Sequence, residues 1–261
     1  MKTSFKMLAG AAAVALSFGA QALVIDDFMV GTGAPIRDNV VDATGFFGSQ
    51  NGPMASIIGG QRDLFVIETD TPPMDDPNTG TSMNVFNGNL GFNNDSGQAG
   101  VGIVRWDGGN TGFGMAGGNA QATLANAISS IDGAVGFGPV NFDANAIGFQ
   151  IEVFSADAGF RFQLQAYSGA NDFSTFTAAS LGKGVFFIPF SAFTAGIGSS
   201  AAADFSGIRA LQAVLNFPGA AVVDVDLRVG LVQSVPEPTS LALVGLALLG
   251  VGAITAKRRR H

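Results

Sequence analysis

The chain has 261 residues, of which 47% are hydrophobic, with 37 glycines, 23 phenylalanines and no cysteine. From Leu23 to Val235 it carries nineteen acidic and seven basic residues, a net charge of about −12, which argues against a nucleic-acid partner because neutralising phosphates requires clustered Lys and Arg. With no cysteine and with the one histidine at position 261, the region before the tail has no residues for Ser-His-Asp or Cys-His catalysis, or for a His- or Cys-based zinc site.

Residues 1–22 have the pattern of a secretory signal peptide. Two lysines precede an apolar run from Met7 to Gly19, and Ala20 and Ala22 place small side chains at the positions that signal peptidase recognises. The run is shorter than the roughly 20 residues that a spanning helix needs. We therefore expect signal peptidase to cleave after Ala22 and the remaining chain to be exported. The alternative is an uncleaved N-terminal anchor.

Residues 23–232 are predicted to form one all-β domain, an antiparallel β-sandwich. Apolar and polar residues alternate with a period of two in several segments separated by clusters of turn-forming residues. Only 119–130 has a helical pattern. Many short strands without alternating helices favour an antiparallel sandwich. The strand candidates are 23–29, 62–68, 100–106, 147–154, 159–167, 184–190, 210–217 and 221–231.

Two of these segments also define faces. In ALQAVLNF (210–217), Leu211, Ala213, Leu215 and Phe217 are expected on one side of the strand. In GFRFQLQAY (159–167), the alternation separates an apolar face from a polar one, and the polar face carries Arg161, Gln163, Gln165 and Tyr167.

Five short blocks resemble the jelly-roll, galactose-binding-like domain. They are IDDF (25–28), GGQRDLFV (59–66), WDGG (106–109), ADFSGIRAL (203–211) and DVDL (224–227), and together they span most of the predicted domain. The resemblance implies a lectin-like, jelly-roll scaffold, and scaffolds of this kind host many functions.

The polar face of 159–167 is the sharpest candidate for a ligand site. Tyr167 could stack on a sugar ring while Arg161, Gln163 and Gln165 donate hydrogen bonds to its hydroxyls. Trp106, between Arg105 and Asp107, is a second candidate platform. The alternative is that Trp106 packs in the core and the polar face meets only water.

Acidic residues at the two ends of the domain are candidates for a structural calcium site. Asp26 and Asp27 on the first strand are expected near Asp224 and Asp226 on the last, because terminal strands of jelly rolls are often neighbours and Ca²⁺ takes several oxygen ligands. The loop 75–80 is a second oxygen-rich segment. The alternative is that all of these are ordinary surface carboxylates.

The sequence favours a protein without catalytic activity. Glu68 and Glu152 are the only glutamates between Leu23 and Val235. A hydrolase that uses a pair of carboxylates is the remaining enzymatic alternative.

Residues 233–261 form a distinct tail. Val235-Pro236-Glu237-Pro238 is followed by an apolar segment, and 238–256 is predicted as a single transmembrane helix because it is long enough to cross a bilayer. Lys257, Arg258, Arg259 and Arg260 are expected to hold the end, 257–261, on the cytoplasmic side. The two prolines keep the preceding segment extended.

This order of a Pro-Glu-Pro motif, a short apolar helix and an arginine cluster closely resembles the PEP-CTERM sorting signal of Gram-negative bacteria that make exopolysaccharide. The same tail occurs on some ice-binding proteins, but the regular threonine repeat of an ice-binding face is absent here. The resemblance implies that Val235 to Pro238 are the recognition motif of a membrane enzyme, exosortase.

Together these expectations describe an exported envelope or matrix protein. It would pass through an intermediate anchored in the inner membrane, reach the cell surface or matrix, and associate with exopolysaccharide through a lectin-like sandwich. A structural or adhesive surface protein without glycan recognition is the alternative, and the carboxylate-pair hydrolase is the third. No cofactor is expected beyond a structural calcium ion.

Overall fold

The computed structural model describes residues 22–40, 42–69, 79–108, 121–129, 131, 135–144, 146–179, 181–217 and 222–236. Within these ranges the chain forms two antiparallel β-sheets packed face to face, so the predicted all-β antiparallel sandwich is confirmed. No helix in the described part is long and apolar enough to cross a membrane. Most of the predicted signal peptide, the helix 238–256 and the basic end 257–261 lie outside the described residues.

One sheet has seven strands, in the order β12-β9-β15-β6-β5-β2, with β1 also paired to β15. Its strands are β1 (Val24–Asp26), β2 (Ile36–Asp38), β5 (Thr81–Phe86), β6 (Asn89–Asn94), β9 (Ala146–Ala156), β12 (Gly184–Pro189) and β15 (Asp226–Pro236).

The other sheet has eight strands, in the order β13-β11-β10-β14-β7-β4-β3-β8. Its strands are β3 (Gly45–Asn51), β4 (Gln61–Glu68), β7 (Gly100–Trp106), β8 (Gln121–Ala122), β10 (Phe162–Tyr167), β11 (Phe173–Ala178), β13 (Thr194–Ala195) and β14 (Ala210–Leu215). One short helix, α1 (Leu124–Ser129), falls within the segment predicted as helical.

The main core fills the space between the sheets. It is built from the inward-facing residues of both, among them Leu164, Trp106 and Phe149. Phe149 lies at the centre of a phenylalanine cluster, with its ring 5.2 Å from that of Phe142 and 5.1 Å from that of Phe190, both edge to face. Such packing explains how a cysteine-free domain obtains its stability from burial of apolar surface.

A second apolar layer covers part of the outer face of the eight-stranded sheet. Phe65, Ile103 and Val214 point away from the main core and pack beneath α1 through Ala127. Because β4 and β7 are covered on both faces, every residue in them is buried. This explains why their sequences do not show a clean alternation of apolar and polar residues.

The structure differs from the predicted faces at one point. Leu211, Ala213 and Leu215 belong to the main core, as expected, but Phe217 packs against the outer layer. Asn216 has a φ of 61°, and this left-handed residue breaks the period of two before Phe217.

The end of the domain also differs from the expected boundary. The last strand, β15, does not end at residue 232 but continues to Pro236, so the first two residues of the Val-Pro-Glu-Pro motif are part of the sheet. Its partner in this region is β9, with Val235 opposite Gly148 and Pro236 opposite Ala146.

Candidate functional site

The outer face of the eight-stranded sheet carries an open groove beside α1. The end of α1 and Phe217 form one wall, and Phe173 with the loop around Ile197 forms the other. Its volume is about 680 Å³, within the range of roughly 300–1,000 Å³ that is usual for ligand sites. The residues that line it are Ile128, Ser129, Ile131, Gln163, Gln165, Tyr167, Ala170, Asn171, Phe173, Thr175, Thr177, Thr194, Ala195, Ile197 and Phe217.

The floor of the groove is a row of side-chain amides that crosses three strands. Gln212 of β14 donates from Nε2 to Oε1 of Gln165 on β10, at 2.8 Å. Gln165 donates to Oε1 of Gln163 at 2.7 Å, and Gln163 donates to Oγ1 of Thr177 on β11 at 3.3 Å. We call these four side chains, Gln212, Gln165, Gln163 and Thr177, the amide row.

Arg105 fixes the direction of the amide row. Its Nε and Nη2 both donate to Oε1 of Gln212, at 2.9 and 2.8 Å. Since guanidinium is only a donor, the amide of Gln212 must turn its oxygen to Arg105 and its NH₂ group to Gln165. The same orientation then passes to Gln165 and Gln163, so the amide N–H groups of the row all point away from Arg105 and toward Thr177.

Arg105 is itself held deep in the structure. It is fully buried, donates from Nη2 to the carbonyl oxygen of Ala127 in α1, and lies 3.9 Å from a carboxylate oxygen of Asp107. Burial lowers its pKa, which nearby Asp107 and Asp63 raise. Arginine nevertheless keeps its charge at any ordinary pH, so the anchor of the amide row does not switch.

Tyr167 is buried next to the amide row and contacts it through Gln165. It is only 4% exposed, its ring stacks on that of Phe173 at 4.9 Å, and its hydroxyl donates to Oε1 of Gln165 at 2.8 Å. Burial raises the pKa of Tyr167 to about 12. The hydroxyl is therefore a donor at any ordinary pH, and no described residue of the groove lining ionises near neutral pH.

The predicted ligand residues are only partly brought together. Gln163, Gln165 and Tyr167 line the groove, whereas Arg161 precedes β10 and does not. Tyr167 lies under Phe173 and does not offer a free ring face. The expectation that Tyr167 stacks directly on a sugar therefore does not fit the geometry, and Phe173 is the aromatic side chain nearer to the opening.

Trp106 does not provide a second platform. It is 2% exposed and packs in the main core, which is the alternative that the sequence left open. Its indole N–H donates to Oδ2 of Asp26 at 2.8 Å. The side chain of Trp106 is thus part of a buried polar cluster around Asp26 and not of a surface site.

Asp26 is the acceptor at the centre of that cluster. Both of its carboxylate oxygens lie 2.7 Å from Nη1 of Arg62, and Oδ1 also accepts the backbone N–H of Phe28. Asp26 and Arg62 are both fully buried. Both carboxylate oxygens of Asp26 already accept hydrogen bonds from protein donors, so they are not available to a cation. Asp26 therefore has a structural role.

The predicted calcium ligands do not converge. The first and last strands are neighbours, as expected, but the register places Asp26 opposite Val232 and Asp226 opposite Asn93. Six residues of β15 separate the two positions, about 20 Å at roughly 3.3 Å per residue. Within the described part of the chain no group of three or more His, Cys, Asp or Glu residues is arranged to hold a metal ion.

The other three predicted ligands have local partners. Asp27 accepts the backbone N–H of Met29, and Asp224 accepts that of Gly97. Partial burial, reinforced by Asp157, raises the pKa of Asp226. Of the second candidate loop, residues 75–78 lie outside the described residues.

The two glutamates of the hydrolase alternative do not share a site. Glu68 is buried at the end of β4, and Glu152 lies on β9 in the other sheet. A carboxylate-pair mechanism needs both groups on opposite sides of one bond. The arrangement therefore does not support that chemistry.

Sequence reasoning missed four residues of the site: Arg105, Gln212, Phe173 and Thr177. Gln212 stands on the outer side of 210–217 by simple alternation, so that pattern could have identified it. Arg105 belongs to a strand that is buried throughout, and only the pairing of β7 with β14, with Arg105 opposite Gln212, brings it to the row.

Comparison with known proteins identifies the tail. The family model for the PEP-CTERM protein-sorting motif matches residues 234–260, which confirms the predicted sorting signal. No curated protein matches the chain. Among solved structures, the chain is similar to the family 11 carbohydrate-binding module of the cellulosomal cellulase Lic26A-Cel5E of Clostridium thermocellum, with 12% identity and a TM-score of 0.35 over 84% of this chain and 96% of the module. The protein is thus a β-sandwich whose last strand leads directly into a PEP-CTERM protein-sorting motif.

Proposed function

We propose that this protein is an exported surface protein that is sorted by its PEP-CTERM tail and binds a neutral glycan in the groove beside α1. The tail supports export and processing by an exosortase. The glycan chain would belong to the exopolysaccharide that surrounds the cell. The sandwich would serve as a lectin-like, galactose-binding-like jelly roll.

The observation that carries the proposal is the amide row. A saturated sugar offers many hydroxyl oxygens and apolar C–H faces, and sites that bind it combine a few fixed polar groups with apolar walls. Here Arg105 fixes the donors before any ligand arrives, so their ordering costs no entropy on binding. Phe173, Ile197 and Phe217 supply apolar walls.

The charge of the site favours a neutral ligand. Among the described residues that line the groove none is charged, and the region from Leu23 to Val235 has a net charge of about −12. A uronate or sulfate group would find no cation among these described lining residues and would be repelled by the surrounding field. We therefore propose neutral hexose chains as the class of ligand.

One observation favours a second function, adhesion without glycan recognition. The strand β12 is an edge of the seven-stranded sheet, and it exposes Val185 by 62% and Phe187 by 47%. Exposed apolar edges pair readily with other chains. Self-association through β12 would make the protein a structural component of the matrix.

The test compares Gln163→Ala with a control on the other sheet, Asn84→Ala. Gln163 belongs to the amide row and lines the groove, whereas Asn84 is exposed on β5. The full chain in detergent is titrated calorimetrically with neutral oligosaccharides prepared from the host's exopolysaccharide. Loss of one or two hydrogen bonds should weaken the binding by about tenfold in Gln163→Ala and leave Asn84→Ala unchanged. No saturable binding by the unaltered chain, or equal affinities in all three proteins, would rule out the groove as a glycan site.

A further inference from the structure

The sorting motif begins inside the folded domain. Val235 and Pro236 are the last residues of β15, and they lie opposite Gly148 and Ala146 of β9. No linker separates the sandwich from the motif. The backbone groups through which an extended motif would be recognised are therefore already in the sheet.

The beginning of the domain reinforces this arrangement. On the other side of β15, Val24 of β1 lies opposite Gln233. Leu23 donates its backbone N–H to Oγ of Ser234 at 2.8 Å, and its carbonyl oxygen accepts the backbone N–H of Ser234 at 2.9 Å. The residue that would become the amino terminus after signal cleavage thus holds the residue that precedes the motif.

The end of the short strand β1 is fixed by the buried cluster described above. Asp26, the last residue of β1, is bound by Arg62 and by Trp106. The two hydrogen bonds between Leu23 and Ser234 are therefore connected to the main core through β1. A pocket of about 350 Å³ lies against Leu23, Ala146 and Ser234.

The distance to the membrane leaves little freedom. The predicted membrane helix begins at residue 238, two residues after Pro236, and two extended residues span at most about 7 Å. An enzyme that binds an extended peptide makes hydrogen bonds to its backbone. It would compete with β9 for the same groups of Val235.

We propose that the folded sandwich masks the sorting motif, and that the membrane enzyme that processes the tail binds Val235 to Pro238 only after Ser234, Val235 and Pro236 have separated from β9 and from Leu23. This inference rests on the sorting role proposed above for the tail. The partner is a membrane peptidase that takes an extended Pro-containing peptide. The rate at which the strand end opens then limits the rate of processing.

The experiment follows the precursor of the full chain by pulse labelling in the host. One variant carries a Gly-Ser spacer of about eight residues between Ser234 and Val235, which moves the motif out of the sheet. The matched control carries the same spacer between Pro238 and Thr239, where it lengthens the connection to the membrane but leaves Val235 paired. Both variants keep the motif intact.

The proposal expects the precursor with the first spacer to be processed about threefold faster or more, because no opening step is needed, and the control to be processed at the unaltered rate. Equal rates in all three chains, or the same acceleration by both spacers, would overturn it. Resistance of the sandwich to added protease in the same samples verifies that the variants are folded.

Two further measurements separate this proposal from the sorting role. Replacement of Val235 to Pro238 by alanines must abolish processing; if it does not, the sorting role fails and the masking fails with it. In the detergent-solubilised unaltered chain, the amide hydrogens of Ser234 and Val235 should exchange slowly. In the first spacer variant Val235 should be unprotected, whereas Ser234, which precedes the spacer and keeps its bond to Leu23, should stay protected. Rapid exchange of both amides in the unaltered chain would contradict the masking alone.

Discussion

At the scale of single residues, Tyr167 offers a direct probe of the groove because it is the chain's one tyrosine. Its ultraviolet titration therefore reports one known site. Burial raises its pKa to about 12 from the ordinary 10.0, so in the folded protein the tyrosinate signal should be half developed near pH 12. In denaturant it should be half developed near pH 10. A native midpoint near 10 would mean that the hydroxyl is open to water and that the closed floor of the groove is wrong.

The same shift has a consequence for stability. A group with a raised pKa in the folded state stabilises fully below its unfolded pKa and loses that contribution as the pH rises through the folded value. For Tyr167 the window lies between pH 10 and about 12, where roughly 2–3 kcal/mol of the free energy of unfolding should disappear. Tyr167→Phe should show a smaller loss over this window, which urea unfolding at several pH values measures.

Single residues also show where sequence reasoning worked and where it did not. Alternation placed Gln163 and Gln165 on one polar face, and they line the groove. It could not identify Arg105, because a charged residue within a fully buried strand has no periodic signature and its partner Gln212 lies 107 positions away. Asp26 was misplaced for a related reason. Strand neighbours can be expected from the fold type, but the register along β15 cannot.

At the scale of elements, the sandwich was predictable from its turns and alternation, while α1 and its layer were only partly so. The helix is six residues long, too short to be stable by itself. It is held by apolar contacts to Phe65 and Val214 and by the bond from Arg105 to the carbonyl of Ala127. The groove exists because this short helix covers one part of the sheet face and leaves the rest open.

Arg105 therefore links the stability of α1 to the shape of the groove, and substitution should reveal both effects. Arg105→Met leaves Gln212, Asp107 and the Ala127 carbonyl without their buried donor, so we expect a loss of about 3–5 kcal/mol in the free energy of unfolding in urea. Arg105→Lys keeps the charge but not the planar fork. It should recover part of the stability without recovering glycan affinity.

The Lys variant decides between two explanations of the effect. If charge alone were required, Arg105→Lys would match the unaltered protein in both stability and affinity. If the fork orients the amide row, affinity should stay reduced by about tenfold even where the protein is fully folded. Gln212→Glu, which keeps an acceptor for Arg105 but removes the NH₂ donor to Gln165, should reproduce the loss of affinity.

At the scale of the whole molecule, the sorting tail and the groove differ in how far apart in the sequence their residues lie. The tail depends on residues close together in the chain, and its Pro-Glu-Pro, apolar and basic order was readable without a structure. The groove depends on contacts between β7, β10, β11 and β14, which lie far apart in the sequence. This is why the sorting motif was predictable from the sequence and the architecture of the groove was not.

The overall charge gives the final prediction. The region from Leu23 to Val235 has a net charge of about −12, yet the groove residues that the structure describes are uncharged, and their donors are neutral amides and hydroxyls. Binding of a neutral oligosaccharide should therefore change less than about twofold between 20 mM and 500 mM NaCl, because hydrogen bonds and apolar contacts are barely screened. A polyuronate of equal length should bind more weakly at low salt and recover as salt screens the repulsion. Calorimetric titration of both ligands across this range is the measurement. Tight uronate binding that weakens with salt would show that a cationic surface, and not the amide row, recognises the polymer.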